Sequence, residues 1–130
     1  PTDFKVFTDE CKNKILDILC LTPDGVISRA VDLGMVDTSS NFAVIHEGNQ
    51  NLEFNSLIRF TAASKRDYVK SNLARLAKLV GAKLEFSAEY PAWEHDKNSK
   101  LEDLSVGVYK EVFDKDPMCI HHRSMLRSIL

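Results

Sequence analysis
No apolar run in this sequence approaches the ~20 residues that a helix needs to cross a bilayer, and no charged start followed by an apolar stretch resembles a signal peptide. A cytoplasmic protein without membrane contacts is therefore expected. Cysteine offers no framework either. Cys11, Cys20 and Cys119 are odd in number and contain no CxxC pair, which argues against both disulfides and a zinc knuckle and leaves free buried thiols as the reading. Charge of one sign is also lacking. With 17 basic and 19 acidic side chains, a formal net charge of -2, nothing supplies the cationic excess through which proteins neutralise phosphates, so no nucleic-acid partner is expected. Internal repeats and low-complexity tracts are missing, as are a P-loop and a nucleophile elbow.

What is present suits a folded domain. A chain of 130 residues, 44% hydrophobic and 28% charged, can bury roughly two thirds of its unfolded surface around one core. From Asp9 to Leu21 the apolar residues Cys11, Ile15, Ile18 and Leu19 recur at helical spacing, with Thr8 or Asp9 as cap. Pro23-Asp24-Gly25 ends that helix, because Pro cannot continue it and Asp-Gly suits a turn. Residues 26–37 stay unassigned apart from a bend at Gly34.

Two alternating stretches, Asn41 to His46 and Leu52 to Phe60, flank the turn-rich Glu47-Gly48-Asn49-Gln50-Asn51 and predict a β-hairpin. Pairing His46 with Leu52 puts Phe42, Val44, His46, Phe54, Ile58 and Phe60 on one face. The other, more polar face carries Asn41 opposite Leu57 and diagonal to Arg59, within reach of a shared ligand. On this register His46 is a hydrogen-bonded core residue rather than a metal ligand.

Ser64 with Asp67 spells a capping box for a second helix through Val69, Leu73, Leu76 and Val80, stopped by Gly81. Its Lys65, Arg66, Lys70, Arg75 and Lys78 read as a solvated face, since no aromatic platform accompanies them. Leu84, Phe86 and Ala88 alternate as a half-buried strand. After the Tyr90-Pro91-Ala92-Trp93 connector, Ser99 and Glu102 cap a third helix reaching Phe113, and Met118-Cys119-Ile120 could form a short strand. His95, between Glu94 and Asp96, and the pair His121-His122 lack a third convergent ligand, so no bound metal is expected. The element order predicts an α+β fold, an antiparallel sheet with two helices packed on one face, plus a C-terminal helix. An N-terminal strand at Phe4-Lys5-Val6-Phe7 would make it ferredoxin-like.

Six strings resemble, in order, the bacterial aminoacyl-histidine dipeptidases, also called Xaa-His dipeptidase, peptidase D or bacterial carnosinase. They are Leu21-Thr22-Pro23-Asp24-Gly25-Val26-Ile27, Val36-Asp37-Thr38-Ser39-Ser40-Asn41 and Asn55-Ser56-Leu57-Ile58-Arg59, then Leu79-Val80-Gly81-Ala82-Lys83, Tyr90-Pro91-Ala92-Trp93 and Val108-Tyr109-Lys110-Glu111-Val112-Phe113. Members of that family join a dinuclear zinc catalytic domain to an inserted lid domain that also dimerises. The resemblance implies a lid and dimerisation unit at residues 1–88, and at residues 89–130 a connector, helix and irregular tail returning to the catalytic domain. It implies that Asn41 faces the active site, that Arg59 meets the carboxylate of a dipeptide substrate, and that the chain pairs as a homodimer through a lid strand and helix. Zinc belongs to the full-length family, whose metal ligands and general base have no counterpart here, so this fragment is expected to hold none and to be inactive alone. The family reads Ser-Leu-Asn at Ser39-Ser40-Asn41, Ser at Phe60, and a Gly-containing string in place of His122-Arg123-Ser124-Met125-Leu126-Arg127-Ser128. The alternative is a stand-alone dimerisation or small-ligand module without peptidase activity.

Overall fold
The computed structural model describes residues 6–31, 34–92, 94, 96, 98–118 and 123–130. Helix α1, Asp9–Leu21, begins where Thr8 Oγ1 accepts the Cys11 N–H at 3.2 Å, and its first turn carries Asp9 and Glu10 against the helix dipole. Its inward residues are Ile18, which is buried, and Ile15, which is partly buried. Strands β1 (Gly25–Ala30), β2 (Met35–Glu47) and β3 (Leu52–Phe60) follow as an antiparallel meander. Helix α2 is Ala63–Val80, β4 is Glu85–Ser87, α3 is Lys100–Phe113 and β5 is Ser124–Ile129. Together the strands make a five-stranded antiparallel sheet in the order β1-β2-β3-β5-β4.

The core lies between one sheet face and the two helices α1 and α2. Phe54, Ile58 and Phe60 of β3 and Leu126 of β5 meet Val69, Leu73 and Val80 of α2 there, all at most 6% exposed. The expected α+β sheet with two helices on one face and a further C-terminal helix is thus what forms. The strand that fills the sheet, however, comes from the far end of the chain. Val6 and Phe7 are exposed and outside any strand, and the rest of the proposed N-terminal strand lies outside the described residues. The tail, expected to be irregular, is instead β5, hydrogen-bonded to β3 from Asn55↔Ile129 to Phe60↔Ser124 and to β4 on its other side. Leu130 extends the ladder, exchanging backbone bonds of 3.0 and 2.9 Å with Phe54. The proposed strand at Met118-Cys119-Ile120 falls mostly outside the described residues; Met118 itself is in no strand.

Two local expectations are corrected. Asn41 does pair with Leu57, but a bulge between Phe42 and Val44 shifts the pairing towards the turn, so Glu47, not His46, faces Leu52. One extra residue in a strand reverses every side chain beyond it. Val44 and His46 therefore leave the core face, and His46 is an exposed partner of Glu53 rather than a core residue. At α2, Ser64 lies inside the helix and no capping box forms; Ala62 takes the N-cap without a side-chain bond. Glu94 of the connector supplies the missing acceptor, its Oε1 taking the Ala63 N–H at 3.3 Å. The other ends behave as expected. Gly81 closes α2 at φ 71°, where a side chain would be strained, and Ser99 caps α3 by accepting the Glu102 N–H.

Candidate functional site
Side chains on the sheet face opposite α1 and α2 are assigned by pairing, since directly paired residues project to the same side. Across β2, β3, β5 and β4 that face gathers Ser39, Arg59 and Met125, then Asn41, Leu57, Arg127 and Ser87. Among the described residues α3 makes no extensive contact with a strand that would build a layer over this face. Asn41 and Arg59, the two residues expected to meet a substrate, are both exposed there, one rung apart on neighbouring strands.

Arg59 has two further arginines nearby. It pairs with Met125, so Arg127 is its diagonal neighbour on β5, and Arg123 immediately precedes that strand beside Ser39, the β2 partner of Arg59. Arg123 Nη1 donates to Ser39 Oγ at 2.9 Å, and Arg127 donates through Nε and Nη2 to Asn55 Oδ1 at 3.1 and 2.7 Å. Those acceptors are neutral. Among the described residues none of the three arginines forms an ion pair, whereas the basic face of α2 is largely paired: Arg66 and Lys70 reach Glu89 at 2.6 and 3.0 Å, and Lys65 reaches Asp37 at 3.5 Å. The solvated-face reading of α2 therefore acquires a reason, and the sheet face emerges as the less compensated positive surface.

Among the described residues Asp37 is the one buried carboxylate. It accepts from Ser28 Oγ at 2.8 Å and from the Thr61 hydroxyl, and so joins β1, β2 and the entry to α2. Burial pushes its pKa up, but the Thr61 and Ser28 hydrogen bonds and the nearby Lys65 charge outweigh that, leaving it below its ordinary value. Three satisfied donors make it a structural tie. Sequence reading missed Asp37, Arg123 and Arg127 as site neighbours; the available signal was the alternation Arg123, Met125, Arg127, Ile129 against Ser124, Leu126, Ser128, Leu130.

Among the described residues no group of three or more His, Cys, Asp or Glu side chains gathers as a metal site. His95, His121, His122 and Cys119 lie outside those residues. No described helix is long and apolar enough to cross a membrane.

No protein-family model matches the chain. It is 39% identical over 107 residues to the cytosol non-specific dipeptidase of Escherichia coli (strain K12), a match covering 82% of the chain and 22% of that relative. The crystal structure of aminoacylhistidine dipeptidase from Vibrio alginolyticus superposes with a TM-score of 0.81 at 31% identity, over 93% of the chain and 25% of that structure. The chain is homologous to part of a dipeptidase. It spans about a quarter of the length of these relatives, so the dipeptidase homology concerns a segment that carries the sheet and its open face.

Proposed function
We propose that the chain is the lid segment of a zinc-dependent aminoacyl-histidine dipeptidase, orienting substrate while regions outside it hold the metal and activate water. The observation that carries this reading is the joint sequence and structural likeness to two dipeptidases across nearly the whole chain. The open face supplies fitting chemistry. A guanidinium presents a planar fork to a carboxylate, so Arg59 would take the dipeptide's terminal carboxylate, and the Asn41 amide would donate to a carbonyl oxygen as charge develops. A hydrolytic zinc site needs about three protein ligands and a position for water. The described residues do not fit that requirement, and no step through zinc is assigned to them.

The relative's name places it in the cytosol, and the same compartment is proposed for this chain. A homodimer is proposed through β1, which lies at the sheet edge with unpaired amide and carbonyl groups on its outer side. The stripe Leu101, Leu104, Val108 and Val112 on α3, each half or more exposed, would lie against the remainder of the enzyme.

Placing this segment in an intact relative tests the reading. There Arg59→Ala is expected to lower kcat/KM for a Xaa-His dipeptide by about tenfold or more, as loss of a charge-assisted pair implies. Unchanged kinetics would remove the carboxylate role.

A further inference from the structure
Beside Arg59 the open face holds a second set of oxyanion donors. Asn55 is only 6% exposed; its Oδ1 is taken by Arg127, and its Nδ2 has no acceptor among the described residues. A buried amide donor left without a partner is costly, and native structures seldom keep one without a ligand or water to meet it. Asn55 and Arg127 both line a shallow pocket of about 170 Å³ that opens where the β2 bulge turns Val44 and His46 to this side. Holding Arg127 through Nε and Nη2 leaves Nη1 available, and the neutral amide does not cancel its charge. Two acids border this point: Glu53, the next residue along the face from Asn55, accepts from Asn51, and Glu85, on the edge strand diagonal to Arg127, is paired with Lys83.

We propose that Arg127 and Asn55 form a second carboxylate-binding point next to Arg59, so that the chain prefers ligands carrying two carboxylates to those carrying one. The inference rests on the reading of Arg59 as the first carboxylate site and extends it to the substrate class, a dipeptide with an acidic side chain. Arg127 and Arg59 are diagonal neighbours on β5 and β3, with backbones roughly 7–8 Å apart, and because Asn55 draws the Arg127 guanidinium away from Arg59 the ligand must be a dicarboxylate long enough to reach both. At Arg59 the whole planar fork faces a carboxylate, and at the second point Arg127 Nη1 and the Asn55 amide supply the donors. A guanidinium there is worth more than a lysine, whose charge lacks the planar pair of donors.

Calorimetric titration of the whole chain with succinate, acetate and inorganic phosphate tests this. Succinate is expected to bind at least about tenfold more tightly than acetate, in line with one added charge-assisted pair. Arg127→Gln, which removes the guanidinium but keeps an amide able to donate to Asn55 Oδ1, is expected to bring the two within about twofold, with circular dichroism confirming that the variant is folded at the titration temperature. Phosphate should gain less than succinate, because one compact anion cannot reach both points. Equal affinity for succinate and acetate, no saturable succinate binding, or a preference that survives Arg127→Gln overturns the inference. Arg59→Ala separates the two readings: weaker acetate binding keeps the Arg59 site even if the Arg127 point fails, and unchanged acetate binding removes the Arg59 site itself.

Discussion
Strand β5 and helix α3 are both short apolar segments in the last third of the chain, but the fold uses them differently. On β5, which lies between β3 and β4 in the sheet, Leu126 is wholly buried in the core and Ser128 on the same face is 1% exposed. On α3 no residue is buried, although its apolar positions recur as regularly and its ends are well capped by Ser99 and Asp114. Amphipathic periodicity specifies that a helix can form; whether its stripe is covered depends on a surface elsewhere. In this chain the sheet accepted a strand with alternate serines and left an apolar helix bare. The difference fits a segment whose relatives are about four times its length.

Substitutions should sharpen that contrast. Leu126→Ala is expected to destabilise the fold by about 3 kcal/mol in chemical denaturation, because a fully buried Leu loses transfer energy and leaves a cavity in the core between the sheet and α2. A cost below about 1 kcal/mol would mean that β5 is not held in the sheet. Asp37→Ala should cost about 2 kcal/mol near neutral pH, since it leaves the Ser28 and Thr61 hydroxyls and Lys65 without their acceptor. The sign with pH follows from its lowered pKa. The stabilisation is complete above the ordinary value of 3.8 and is lost as pH falls through the lower folded value, so the difference between wild type and variant should shrink in acid. A difference that grew below that pH would contradict the tie. The smallest effect is expected at Leu104→Ala on α3, within about 0.5 kcal/mol because the side chain is already 64% exposed. A loss of 2 kcal/mol there would show that α3 packs within this chain after all.

Much of the architecture was legible before the structure. Thr8, Ser99 and Gly81 marked helix ends through groups that satisfy orphan backbone atoms, and the hairpin placed Asn41 opposite Leu57. What escaped reading shares one cause. The first half of β2 buries Asp37, Thr38 and Ser40, and β5 buries Ser128, so polar residues occupy positions where apolar alternation would announce a strand. β1 was hidden for a related reason, being an edge with no buried residue. The bulge at Phe42/Val44 carries no glycine to signal it, and it alone moved His46 from the core face to the open one. The open face itself could be half inferred: Arg59 and Asn41 were placed, but the flanking arginines needed the long-range pairing of β5.

The proposed division of labour between this segment and the rest of a dipeptidase is tested most directly by incubating the purified chain with zinc and a Xaa-His dipeptide. Positioning groups without water-activating machinery should leave the peptide bond intact at the rate of the protein-free blank. Turnover above that rate, abolished by a chelator, would place the catalytic metal within this chain and contradict the account.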